Sequence, residues 1–404
     1  MKVLVSAGEV SGDVAGALLA EALLRLDRGT VLYGLGGERM AAAGVEVLRD
    51  TNPLGTVGVS EAFHVLPSLA RAFRALRERV LSDPPDVAVL IANDIFNVAL
   101  GRWLRRHGVR TVAWFPPQVW IWRSLAPVFS RSYDAVLACF PDEVGVWSRA
   151  GVPTRFVGHY LADSLTPPDE SARGEARGRL GLPADSLVVA LLPGSRPLEI
   201  RRLAPSLFGA AASVARARPF VTWLLPVAEP ALAREVERHV EESGLAGKVA
   251  IVPGGPASLA AADLALTASG TASLEAALLG VPSVVVYRVS LLTIGVVRSA
   301  IALSLMDSDT VALPNLVLGR RVLPELIQRR VRSEEIAAEA LRFIDDAPRR
   351  ERVRAEILAV GRLLRVGGSA ERTAEAVLSL AGAPSGTLSM EPGAALSPSP
   401  GGRS

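Results

Sequence analysis

The chain has 404 residues, half of them hydrophobic, and a formal net charge of only +3. That length suits two or three domains, and the charge balance does not suggest a general nucleic-acid binder, whose domain is ordinarily strongly basic. Cys139 is the sole cysteine and His64, His107, His159 and His239 are scattered, which excludes an internal disulfide and a cysteine-based metal site and leaves no zinc-type cluster.

The absence of disulfides fits a reducing compartment, and Cys139, inside the apolar run AVLACF, is a core residue rather than a nucleophile. Lys2 and Lys248 are the only lysines, so the basic charge is nearly all arginine, which suits acidic lipid or phosphate. The start lacks signal-peptide form, because the apolar run after Lys2 is too short before Glu9. No uninterrupted apolar stretch reaches the ~20 residues of a membrane-spanning helix. Leu291–Met306 comes nearest, but it carries Arg298 near its middle and suits a buried or membrane-surface helix.

In chain order, Lys2–Ser6 is a short apolar strand, Asp13–Leu26 has helical periodicity, and Val31–Gly34 is a second strand. Leu66–Leu81 is a helix with arginine on its polar face, and Val87–Ile91, Thr111–Trp114 and Ala135–Cys139 are further buried strands. Strands apolar throughout and separated by helices indicate a parallel sheet covered on both faces. The character changes at Leu165–Pro183, a linker with a short helix, and the alternation then restarts. Leu187–Leu192, Phe220–Leu225, Val249–Val252, Leu264–Ala268 and Val284–Tyr287 are strands, and Pro230–Ser243 is helical. Three amphipathic helices close the fold between Ser333 and Ala381, and the Pro, Gly and Ser tail after Ala383 has little to bury. The expected division is a first domain over 1–165, a linker over 166–184, a second domain over 185–345, terminal helices over 346–382 and a disordered tail over 383–404. Two doubly wound α/β halves facing across a cleft would offer two sets of strand carboxyl ends, where such sheets bind ligands.

The segment SGTASLEAALLGVP, Ser269–Pro282, carries the most chemistry. It follows a buried strand and opens a helix with small residues, so unpaired N–H groups and the positive end of the helix dipole are accessible to a phosphate. Glu275 lies within reach of a sugar hydroxyl. A well-capped helix packed on a sheet would look similar. Leu191–Ile200, LLPGSRPLEI, ends the first strand of the second half; Gly194 and Ser195 turn the chain and Arg196 offers a forked donor to a phosphate. Ala7–Asp13, AGEVSGD, places Glu9 and Asp13 at the end of the first strand, where they suit hydroxyl recognition, although Asp13 is better read as a cap of the following helix. Neither G-x-G-x-x-G after these strands nor a G-x-x-x-x-G-K-[ST] segment occurs, against a dinucleotide enzyme or a nucleoside triphosphatase.

Together with VGVSEAF (Val57–Phe63), PPQVWIWR (Pro116–Arg123), FVGHYLAD (Phe156–Asp163), YRVS (Tyr287–Ser290) and LPNLVLGRRVLPELIQ (Leu313–Gln328), these segments occur in the order found in lipid-A-disaccharide synthases. Each is weak singly, but in order they are specific, and the resemblance covers about residues 1–345. It implies a GT-B glycosyltransferase that moves a 2,3-diacylglucosamine unit from UDP to a 2,3-diacylglucosamine 1-phosphate, forming a β(1→6) disaccharide. It also implies no metal or other cofactor, no nucleic acid, and peripheral work at the inner face of the cytoplasmic membrane, with a homodimer left open. On this resemblance Ser269, Gly270 and Thr271 meet the diphosphate, Glu275 accepts from the ribose, and Arg196 and Arg288 offset phosphate charge as UDP leaves. Asn315, in the family's LPN segment, either orients the donor or caps a turn.

One departure stands out. The family pattern I-D-x-P-D-F-N begins with the favoured general base, yet this chain reads Ile91-Ala92-Asn93-Asp94-Ile95-Phe96-Asn97. Both family acids fall on apolar residues. Asp94, two positions on and on the same face of an extended segment, is the expected replacement, with Glu9 and Glu61 as the other candidates. Pro116 stands where the family has Ser and Tyr160 where it has Pro. Three readings follow: the family's own transfer, transfer to another lipid acceptor, or a non-catalytic UDP-sugar-binding protein at the membrane, which Ala92 favours. Leu291–Met306 and the tryptophans 114, 120 and 122 are expected to supply apolar surface for acyl chains, or else ordinary packing.

Overall fold

A computed structural model describes residues 1–51, 59–92, 94–118, 123–227, 230–289 and 310–382, with the backbone alone for 59–65, 94, 95, 123 and 230. The chain divides into two compact units, one holding 1–160 and 366–382 of the described residues, the other 161–289 and 310–365.

The first unit alternates strand and helix. Its elements run β1 (Lys2–Ala7), α1 (Val10–Leu26), β2 (Val31–Gly36), α2 (Glu38–Ala42), β3 (Glu46–Asp50), α3 (Val59–Ser82), β4 (Val87–Ile91), α4 (Asp94–Arg106), β5 (Arg110–Trp114), α5 (Ala126–Phe129), β6 (Ala135–Ala138), α6 (Pro141–Arg149) and β7 (Thr154–Phe156). The strands form one parallel sheet in the order β3-β2-β1-β4-β5-β6-β7. Its central strands are buried along their whole length, as in Val87–Ile91, because helices cover both faces and leave no solvated side to mark by alternation.

The second unit follows α7 (Tyr160–Ser164), which spans the junction, and α8 (Glu170–Arg179). It contains β8 (Leu187–Leu192), α9 (Pro197–Ala217), β9 (Val221–Val227), α10 (Ala233–Glu242), β10 (Val249–Pro253), α11 (Pro256–Leu259), β11 (Leu264–Ala268), α12 (Thr271–Leu278), β12 (Ser283–Tyr287), α13 (Leu313–Leu318), β13 (Glu325–Ile327), α14 (Ser333–Ile344) and α15 (Ala347–Leu364). The parallel sheet order is β10-β9-β8-β11-β12-β13. Both units are thus doubly wound sheets of the α/β class.

Two boundaries differ from expectation. The segment 166–184, expected as a linker, belongs to the second unit. Its helix α8 is fastened there because Arg173 and Arg177 pair with the two oxygens of Asp263 at 3.1 and 2.6 Å, and Asp263 also accepts from Val188 N–H at 2.8 Å. The terminal helices separate: α14 packs on α9, whereas the last helix, α16 (Ser369–Gly382), returns to the first unit and packs on α1. Arg365 closes the second unit by donating to Ala162 O and Leu165 O at 2.6 and 2.7 Å.

Candidate active site

In each sheet the strand order reverses once, and open α/β sheets bind ligands beyond the carboxyl ends at that point. In the second unit the reversal lies between β8 and β11. The loop leaving β8 is Gly194-Ser195-Arg196 and the turn leaving β11 is Ser269-Gly270-Thr271. The fold therefore places these two motifs side by side at one switch point.

Gly270 has φ +136° and ψ −153°, a region essentially reserved to glycine. Among the described residues, no heavy atom other than those of its chain neighbours lies within 4 Å of where its Cβ would stand, so these residues leave the space above this backbone open. Thr271 begins α12, whose first N–H groups have no intrahelical acceptor and carry the positive end of the dipole. Ser269 is occupied otherwise: its hydroxyl donates to Val311 O at 2.6 Å and its N–H to Val286 O at 2.9 Å. Glu275, one turn along α12, is mostly buried, and burial raises its carboxyl to about 7.

Of the two roles open for Asn315, orienting the donor or capping a turn, its side-chain hydrogen bonds favour the second. Its amide donates to Leu323 O at 2.9 Å and Glu325 Oε1 at 2.7 Å, and its oxygen accepts from Val322 and Leu323 N–H, both at 2.9 Å. Two donors and two lone pairs exhaust an amide. Glu325 in turn accepts from Val311 N–H at 3.0 Å and Ala312 N–H at 3.3 Å. Asn315 and Glu325 thus anchor the strand of chain that receives the Ser269 hydroxyl. Arg288 likewise spends donors on carbonyls, those of Val331 and Arg202, and fastens the end of β12 to α9.

The β8 loop is organised by a residue the sequence reading passed over. Gly194 has φ +119°, Arg196 is the N-cap of α9, and Glu199, in the first turn, accepts from Arg196 Nη1 at 2.9 Å and from Ser195 N–H at 3.3 Å. The G-S-R-x-x-E spacing, three residues from N-cap to acid, is the available signal for it.

In the first unit the reversal lies between β1 and β4. Glu9, N-cap of α1, follows β1, and its Oε1 accepts from Ser11 Oγ at 2.7 Å. Asp13 is buried and caps a different helix from the one expected. It accepts from Gly37, Arg39 and Met40 N–H at 2.7, 3.2 and 3.1 Å, at the start of α2 rather than α1. Asp13 already sits inside α1, so its carboxylate serves the helix beside it.

Ala92, at the family's base position, has φ +51°, and Phe115, after β5, has φ +56°. Ala92 N–H donates to Phe115 O at 3.2 Å. Asn97 draws these strand ends together: its amide lies 2.7 Å from Ala92 O, 3.1 Å from Ile91 O and 3.3 Å from Ser6 O, and its oxygen accepts from Ser6 Oγ at 2.8 Å. Such left-handed residues away from glycine cost energy and gather at functional sites. His159 is packed nearby, 5.0 Å from the Phe115 ring, 5.5 Å from Phe140 and 5.2 Å from Tyr160, and burial lowers it to about 3. Trp114 is fully buried, so it supplies core rather than acyl-binding surface. The side chains of Asp94 and Glu61, and all of Trp120, Trp122, Leu291–Met306 and the tail, lie outside the described residues.

A family model described as lipid-A-disaccharide synthetase matches residues 3–379. The chain is 39% identical to the lipid-A-disaccharide synthase of Geobacter sulfurreducens over 383 residues, 94% of this chain and 97% of that one. It is 38% identical to that of Myxococcus xanthus over 381 residues, again 94% and 97%. Among solved structures, UDP-GlcNAc 2-epimerase from Neisseria meningitidis bound to UDP-GlcNAc matches with a TM-score of 0.63 at 12% identity, covering 94% of this chain and 100% of that one. Anabaena HepE in complex with UDP and glucose matches with a TM-score of 0.55 at 16% identity, covering 94% and 99%. These structural likenesses establish the two-sheet GT-B-like fold. By the extent of the family match and the identity to these synthases along nearly the whole length, the chain belongs to the lipid-A-disaccharide synthase family.

Proposed function

We propose that the protein is an inverting glycosyltransferase that forms the lipid A disaccharide. The donor is a UDP-2,3-diacylglucosamine, and the acceptor is a 2,3-diacylglucosamine 1-phosphate. The carrying observation is the open Gly270 backbone at the β8/β11 switch point, heading α12 with Glu275 one turn along. There the Gly270–Thr271 backbone and the α12 dipole receive the diphosphate, and ionised Glu275 accepts from the ribose. Arg196 counters the charge that grows on UDP, with the fixed positive charge of Arg288 behind it. That charge is largest in the transition state, so its neutralisation accelerates the step.

In the transfer the acceptor's 6-hydroxyl oxygen bonds to the anomeric carbon while the bond from that carbon to the β-phosphate oxygen breaks, its electron pair leaving with UDP. The hydroxyl proton passes to a carboxylate at the acceptor side, for which Asp94, Glu9 and Glu61 are the candidates; the extended segment expected to align Asp94 with position 92 is not formed, because Ala92 is left-handed and Asp94 opens α4. Such a base is worth ~10²–10⁴-fold in rate. Peripheral attachment to the inner face of the cytoplasmic membrane draws support from α3, whose exposed face combines Leu66, Ala70 and Leu81 with Arg71, Arg74 and Arg77. Apolar side chains and arginines together suit an acidic lipid surface. Among the described residues no helix is long and apolar enough to cross a membrane.

The test is UDP release from a diacylated donor with and without acceptor. Acceptor-dependent release supports transfer. UDP binding without turnover instead supports a UDP-sugar-binding protein, the reading that the missing carboxylate at Ala92 favours, and turnover only with a different acylated acceptor supports a related transferase.

A further inference from the structure

We infer that Glu199 is a positioning residue that presets Arg196 for the departing diphosphate; this rests on the role proposed above for Arg196. Arginine's long, many-rotamer side chain is costly to order. Arg196 sits at a helix N-cap, where its own backbone gives its guanidinium no fixed direction. Glu199, three residues on, supplies that direction through the 2.9 Å bond to Nη1, while its other oxygen faces Ser195 N–H at 3.3 Å. One carboxylate therefore ties together the loop backbone and the charged fork.

The glycine in this loop is part of the same device. A Cβ built on Gly194 would lie 2.7 Å from Glu199 Oε2 and 2.8 Å from Glu199 Cβ. The space that a glycine next to a phosphate loop suggests for ligand is here filled by Glu199. The motif's glycine, serine and arginine thus share one partner, which explains why the acid stands where it does.

An arginine set in place before reaction contributes in the transition state, so losing its support lowers kcat more than it raises KM. In the full-length enzyme, Glu199→Ala is expected to lower kcat 10- to 100-fold, change the Kd for UDP less than 3-fold and leave Tm unchanged. Glu199→Gln, which still accepts from Arg196, is expected to recover most of the loss. In an Arg196→Ala background, Glu199→Ala is expected to add no further loss. A loss that multiplies with that of Arg196→Ala, or an unchanged kcat for Glu199→Ala, overturns the inference. Failure of the underlying reading looks different: the unaltered enzyme then gives no acceptor-dependent UDP release, or Arg196→Ala alone keeps the full rate.

Discussion

Replacing Glu275 by Gln is expected to stabilise the second unit at alkaline pH while weakening UDP binding. Burial raises the carboxyl from its ordinary 4.5 to about 7. A carboxyl whose folded value lies above its unfolded one contributes stability that is fully present below about pH 4.5 and is lost as the pH rises through about 7. The difference of roughly 2.5 units, at 1.36 kcal/mol each, amounts to about 3 kcal/mol at pH 8 and under about 1 kcal/mol at pH 5. Gln cannot ionise and avoids that loss. For a unit of this size about 2–4 °C accompany each kcal/mol, so the Gln variant is expected to melt roughly 6–12 °C higher at pH 8 and nearly level with the unaltered protein at pH 5. Calorimetry at a series of pH values measures this. The same carboxylate must be ionised to accept two ribose hydroxyls, so UDP affinity should fall as the pH drops below about 7, and the Gln variant should flatten that dependence. A melting difference that stays constant with pH, or a Gln variant less stable at pH 8, refutes the reasoning.

His159 has the opposite sign: its folded value is lowered from 6.5 to about 3, so its contribution is present above about pH 6.5 and is lost as the pH falls toward 3. His159→Gln should therefore reduce the acid slope of first-unit stability over that window, by about 3 kcal/mol between pH 4 and pH 7, as read from urea unfolding at those two values. Asp13→Ala leaves three N–H groups at the start of α2 without their acceptor and should cost roughly 3 kcal/mol, seen as a lower urea midpoint with UDP affinity unchanged. Asp94→Asn should lower turnover ~10²–10⁴-fold while sparing UDP binding. Adding Ala92→Asp should restore part of that rate, because aspartate tolerates the left-handed backbone that Ala92 adopts; full activity in Asp94→Asn alone removes Asp94 as the base. Reversing the charge of Arg71, Arg74 and Arg77 should abolish sedimentation with vesicles rich in acidic phospholipid, and unaltered binding would detach the membrane role from α3.

The interior of both sheets is legible in the sequence because its strands are buried on both faces. Val87–Ile91, Leu187–Leu192 and Leu264–Ala268 are apolar runs whose limits coincide with the observed strands. The strands that escape notice, Glu46–Asp50, Thr154–Phe156 and Glu325–Ile327, are all sheet edges. They pair on one side only and carry charge, so no apolar run marks them. The extent of the second unit escapes for another reason. What draws 166–184 into it is the pairing of Arg173 and Arg177 with Asp263, far along the chain, and in local sequence those arginines look like any solvated helix face.

The pattern that suggests the diphosphate seat is local in the sequence, whereas the partners of its side chains are not. A strand followed by small residues and a helix start is a local pattern, and Gly270 and Thr271 stand where it indicates. Their meeting with Gly194–Arg196 follows from β8 and β11 being neighbours, which depends on strand order and is invisible to local pattern. Side-chain roles depend still more on distant partners. Ser269, Arg288 and Asn315 look free to meet a ligand until Val311, Val331 and Glu325 are seen to engage them. On the proposed reading, what the switch point would offer a diphosphate is mainly backbone: the Gly270 turn and the head of α12, held in shape by polar side chains that turn inward. Main-chain donors cost no side-chain ordering when charge develops. It follows that Gly270, whose φ of +136° no other residue adopts easily, should be less replaceable for UDP binding than the serine before it.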